Sequence, residues 1–132
     1  MIRGLVLALA LAAPAMADTI GEEKRFVVNA VGKDDFEVIR LRHMAAAELW
    51  CAAASHVIRR QGLPGTTAIY LRGPLGASRT EPGRAAVLFS LSNAGLPAPG
   101  VRLTLTVDAP GETMKAAAAL RYCRDAFTRS TK

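Results

Sequence analysis

Residues 44–61 read MAAAELWCAAASHVIRRQ, and they decide how the rest of the chain is arranged. The run has no internal Gly or Pro and is rich in alanine, the strongest helix former. Ala47, Trp50, Cys51, Ala54, Val57 and Ile58 recur at spacings of three and four, which predicts one helix with an apolar stripe. Gly62 ends it, with Pro64-Gly65 beyond, the usual chemistry of a helix stop. Cys51 lies on the stripe. A second helix is predicted at about 113–128, where Ala116, Leu120, Cys123 and Phe127 are spaced by four, three and four. Lys115, Arg121, Arg124 and Asp125 lie off that line, toward water. Both cysteines of the chain thus sit on the apolar stripes of two helices. That predicts two helices side by side on one face of a sheet, with a Cys51–Cys123 disulfide between them. Helices on opposite faces would lie too far apart to be bridged. Pairing between two chains is the alternative that a lone pair of cysteines leaves open.

The strands are read from period two. Residues 24–31 (KRFVVNAV) and 36–41 (FEVIRL) flank Gly32-Lys33-Asp34-Asp35, a hairpin signature. Residues 66–72 (TTAIYLR), 84–91 (RAAVLFSL) and 101–107 (VRLTLTV) alternate more cleanly. The last of them sets Val101, Leu103, Leu105 and Val107 on one side. The stretches 73–83 (GPLGASRTEPG) and 92–100 (SNAGLPAPG) are rich in Gly and Pro and are predicted as loops. The expected fold is α+β: an antiparallel sheet of about five strands in the order β-β-α-β-β-β-α, two helices on one face, one disulfide.

The N-terminus sets the compartment. Residues 1–17 read MIRGLVLALALAAPAMA: an early Arg3, an apolar run, then Pro14 and the small-x-small end Ala15-Met16-Ala17. This is the layout of a secretory signal peptide cleaved after Ala17, too short to be a membrane anchor. No cysteine follows the cut and no Arg-Arg pair precedes it, which points to general secretion of a non-lipidated protein. The mature chain is then a single domain, residues 18–132, periplasmic or secreted, with no stable membrane span. In an oxidising compartment its two cysteines read as a bridge.

The full chain carries 17 Lys and Arg against 11 Asp and Glu, a net charge of +6. Six of those acids crowd into 18–37 beside three bases, so the remainder is strongly basic. Basic charge serves solubility, and it also suits an anionic partner. Arg72 and Arg84 are expected to neighbour each other at the base of the loop carrying Arg79. With Tyr70 on the same face, they form the candidate anion- or partner-binding site. That face, with Leu88 and Ala86 at its centre, also suits a protein contact or a homodimer.

Catalytic motifs are not found. His43 and His56 are too far apart on one helix to chelate a metal by local spacing, and no CxxC or HExxH accompanies them. A bridged Cys51 has no thiolate to offer. Ser55, Ser78, Ser90 and Ser92 lack a nucleophile elbow. Asp34, Asp35 and Glu37 read as a solvated turn. The glycines of 73–83 lack the Lys-Ser/Thr ending of a phosphate loop. No catalytic residue, metal or cofactor is expected, and no nucleic-acid partner.

The segments Glu48-Leu49-Trp50-Cys51-Ala52-Ala53-Ala54, Ala68-Ile69-Tyr70-Leu71 and Ala86-Val87-Leu88-Phe89-Ser90-Leu91 resemble small exported proteobacterial proteins of unknown function. In these, a Trp-Cys-Ala-Ala helix is followed by strands and a second C-terminal cysteine. The resemblance implies a periplasmic disulfide domain and brings no activity with it. The functional expectation is a non-enzymatic binding or accessory module of the cell envelope. Its rivals are an anion-binding protein, an inhibitor of an envelope enzyme, and a small enzyme using His43 or His56 with Glu48 or Asp108.

Overall fold

A computed structural model describes residues 26–42, 44–101 and 103–129. The expected signal segment and His43 lie outside the described residues. Two short strands open the fold, β1 (Val27–Ala30) and β2 (Asp35–Ile39). Helix α1 (Ala46–Ser55) follows and runs on through a wider π-helical turn, His56–Arg60. Next come β3 (Ala68–Ala77), β4 (Ala85–Ser90), β5 (Thr113–Lys115) and α2 (Ala116–Arg129). The sheet has the order β1-β2-β4-β3-β5, and every neighbouring pair is antiparallel. The α+β class and the element order match the sequence expectation.

Gly62 does stop the first helix. It takes φ +67°, and Leu63 N–H then reaches back to Val57 O at 3.0 Å. Only a residue without Cβ adopts that backbone at no steric cost. The Cys51–Cys123 bridge is present, with the two Cα atoms 4.9 Å apart. It joins α1 to α2 within one chain, which requires both helices on the same side of the sheet. The second helix needs no side-chain cap. Ala116 N–H donates to Thr67 O at 2.8 Å and Ala117 N–H to Gly65 O at 2.9 Å, so the turn after α1 satisfies its first amides.

The helices are not equivalent. Leu49 through Ser55 are all buried, so α1 has no wet face over that span. A helix that is apolar all round is a buried one. On one side its Trp50 meets Phe89 of β4 edge-on, ring centroids 4.9 Å apart; Cys51 faces α2. Phe36, Val38, Ile69, Leu71, Val87 and Phe89 form the sheet side of this core.

Three expectations are corrected. The strand expected over 101–107 is absent from the described residues of that stretch, Val101 and 103–107; Val101 and Leu103 are 99% exposed. The fifth strand is Thr113–Lys115, which the helical spacing had assigned to α2. Residues 73–77 are not loop but the second half of β3, with register shifts at Gly73 and Gly76. The first shift has a steric reason, since Gly73 lies so close to Leu88 that an added Cβ would stand 2.9 Å from the leucine Cβ.

Candidate functional site

The sheet face turned away from the helices carries Glu37, Ile39, Ala86, Leu88 and Ser90, all buried. The β3–β4 connection folds back across it. Ser78 Oγ donates to Glu37 Oε1 at 2.5 Å, Thr80 N–H to the same oxygen at 2.9 Å, and Arg79 N–H to Oε2 at 3.0 Å. The Thr80 hydroxyl also donates to Oε1, and Asn29 of β1 donates to that hydroxyl at 2.8 Å. Glu37 is therefore a caged carboxylate, 2% exposed, and not part of a solvated acidic turn. Burial alone pushes its pKa up. The hydroxyls of Ser78 and Thr80 and the amides of Arg79 and Thr80 outweigh burial and hold it at about 2. Its chemistry is that of a fixed anion that anchors a loop, with no proton to exchange near neutral pH.

The three arginines of the candidate anion site do not converge. β3 continues to Ala77, so the hairpin closes at Ala77 and Ala85, beside Arg84. Arg72 follows Leu71, which pairs with Phe89 at the other end of β4. Four residues of strand separate Ala85 from Phe89, roughly 13 Å. Arg72 is also engaged: Nη1 donates to Ala94 O at 2.9 Å, Nη2 to Ser92 O at 2.8 Å, and Nε lies 3.4 Å from Asp35. It fastens the 92–94 turn to β2. Arg84 lies 3.3 Å from Glu81. Arg79 contributes its amide to Glu37 and has an exposed side chain. Tyr70 stands on β3 opposite Ser90, partly buried.

A shallow open cleft lies between α1 and β1, lined by Phe26, Val28, Ala52, Ser55, His56 and Arg60. The His56 ring packs on Phe36 with centroids 4.7 Å apart, and its Nδ1 is buried without a hydrogen-bond partner. Burial, and then the Arg60 charge, hold its pKa below the ordinary imidazole value. The residue begins the π-helical turn. Sequence spacing placed it at the edge of the stripe and gave no sign of the widened turn. Among the described residues lining this cleft there is no carboxylate to orient the ring as a base. The arrangement suits holding a ring in place better than proton transfer.

The remaining candidate surface is the long connection from β4 to β5. Its distal part exposes Val101 and Leu103 almost completely. Its return is fixed to the core: Trp50 Nε1–H donates to Thr106 O at 2.9 Å, and Leu75 N–H to Val107 O at 3.0 Å. Val107 itself is buried. Sequence alternation found these aliphatics but assigned them to the interior of a sheet.

Among the described residues, no group of three or more His, Cys, Asp or Glu could hold a metal ion, and no helix is long and apolar enough to cross a membrane. No protein-family model, curated protein or solved structure matches the chain.

Proposed function

We propose that the protein is an exported, non-enzymatic binding module of the cell envelope. The observation that carries this reading is the Cys51–Cys123 bridge between α1 and α2. A buried bridge in a small domain suits an oxidising compartment, and residues 1–17 have the composition of a secretion signal. The resemblance to small exported proteobacterial proteins points the same way. The binding role rests on a stapled scaffold that presents Val101 and Leu103 to solvent on a fixed loop. The polar groups are arranged for structure: Glu37 is caged, Arg72 is tied to backbone, and His56 is neutral and half-buried.

The test is the intact mass of protein from the periplasmic fraction, with alkylation under non-reducing conditions. The reading expects loss of residues 1–17, a mass two hydrogens light and no label. Retention in the cytoplasm, or alkylation at both cysteines, overturns it. The enzyme rival is tested separately by His43→Ala/His56→Ala, which leaves a binding function intact and abolishes one that depends on imidazole.

A further inference from the structure

β1 is the last strand on its side of the sheet, and no described residue pairs with its outer edge. The hairpin decides which of its backbone groups face outward. Val31 N–H donates to Asp35 O at 2.9 Å, and Ala30 stands opposite Phe36. In an antiparallel pair, bonded and non-bonded positions alternate. Val27 and Asn29 therefore bond to β2, while the N–H and C=O groups of Val28 and Ala30 point away from it. No Pro or Lys interrupts the strand and no register shift marks its pairing, so the usual devices that close an edge are missing from it. Val28 stands opposite the buried Val38, which puts its side chain on the helix side. The cleft between β1 and α1 thus opens beside this edge. Among the described residues that line it, Arg60 alone carries a charge at neutral pH, and it is exposed at the end of the π-helical turn. Such turns recur at functional sites.

We propose that this edge docks an extended acidic peptide segment of another protein, which adds a sixth strand to β1 and sets a carboxylate against Arg60. This rests on the reading of the protein as a binding module and adds a site apart from the 101–107 loop. Strand addition draws affinity from main-chain bonds and selectivity from alternate side chains. Val28 and Ala30 supply the main-chain part: two donors and two acceptors, two residues apart, as a strand ladder requires. Every second residue of the incoming strand faces α1. A side chain level with Val28 meets the apolar surface of Phe26, Val28 and Ala52, with the Arg60 guanidinium at its rim. His56, packed on Phe36, holds that wall in place. A carboxylate there is answered by Arg60, whereas a lysine would be repelled with no acid lining the cleft to offset it. The net charge of +6 favours the same sign of partner. A second copy pairing through its own β1 brings no acid, since Val27–Ala30 contains none.

The experiment uses the purified, oxidised, isotope-labelled protein and two pools of capped octapeptides. Each pool alternates Thr and Val and carries one Glu, or one Lys, walked through the positions. Amide exchange at Val28 and Ala30 is expected to be fast in the free protein and to be slowed by the Glu pool, which binds saturably. The Lys pool is expected to bind about fivefold more weakly, and Arg60→Glu to reverse that preference. Ala30→Pro removes an outward N–H that β2 does not use, a change that an edge strand tolerates. It is expected to keep the thermal midpoint and lose the peptide. Should that variant unfold, Glu peptides N-methylated at alternate residues replace it; they cannot complete the ladder and are expected not to bind. Slow exchange at Val28 and Ala30 in the free protein means that another segment of this chain or a second copy already covers the edge, and overturns the proposal. So do absence of binding by either pool at millimolar concentration, equal binding of the two pools, and undiminished binding to Ala30→Pro or of the N-methylated peptides. None of these results bears on export, which is read from the cell fraction and the intact mass. A partner captured through Val101 and Leu103 alone leaves the binding module standing without this site.

Discussion

The indole N–H of Trp50 donates to the carbonyl oxygen of Thr106, 2.9 Å away and 56 residues further along the chain. Trp50 is fully buried and its ring meets Phe89. One side chain therefore serves both as the centre of the core and as the fastening of the exposed loop.

Trp50→Phe keeps most of the ring contact and removes the donor. It leaves the Thr106 carbonyl without its partner, at a cost of about 1–2 kcal/mol. Urea unfolding followed by circular dichroism measures the loss, since the substitution deletes the only tryptophan and its fluorescence. Amide exchange around Leu105 and Val107 is expected to speed up, while exchange in β4 stays slow.

Cys51→Ala/Cys123→Ala removes a link between positions 72 residues apart. The chain-entropy view assigns such a loop about 4 kcal/mol. That is a large share of the roughly 5–15 kcal/mol by which domains are stable. Thermal unfolding with and without reductant is expected to reproduce the effect in the wild type and to show none in the double variant.

Glu37→Gln removes the charge that Ser78, Arg79 and Thr80 surround. With a folded pKa near 2 against 4.5 for a free glutamate carboxyl, the carboxylate contributes about 3 kcal/mol at neutral pH. The folded value is the lower one, so the contribution is complete above pH 4.5 and is lost as pH falls from there toward 2. Denaturant midpoints across that window are expected to fall steeply in the wild type. In Glu37→Gln they start lower and vary less.

His56 adds a second, milder acid sensitivity. Its folded pKa lies below 6.5, so the unfolded chain binds the proton more readily. Its contribution is complete above 6.5 and declines as pH drops below that value. His56→Gln is expected to flatten the thermal midpoint between pH 7.5 and 5.5. A midpoint that still falls equally in the variant would assign the effect to another group.

The parts of the fold that were legible in the sequence are those settled by neighbours along the chain. The apolar run from Leu49 to Ile58, the Gly62 stop and the alternation of β4 each carry their own local signal. Cys51 and Cys123 supplied the one long-range constraint, and it located α2 correctly. The misplaced fifth strand comes from competition for a strand edge. VRLTLTV at 101–107 is a better strand sequence than Thr113-Met114-Lys115, but β3 has a single free edge. The three-residue strand holds it because Ala116, next in line, must reach Thr67 to start α2. Glu37 was illegible for a related reason. Its ligands are 41 to 43 residues away, and three acids in a row of turn residues look solvated until that loop arrives. The arginine cluster failed because β3 runs through Gly73-Pro74, a pair that ordinarily ends a strand.

The Glu37 cage divides position 79 into two halves with opposite freedoms. The carboxylate uses the amide of Arg79, while the guanidinium faces solvent. A saturation library at this codon should therefore show near-neutral scores for almost every amino acid and one sharp failure, proline, the sole residue without an amide hydrogen. Natural variation there would drift in charge and size without touching the architecture. The position can carry a dye or a surface tether without disturbing the lock beneath it.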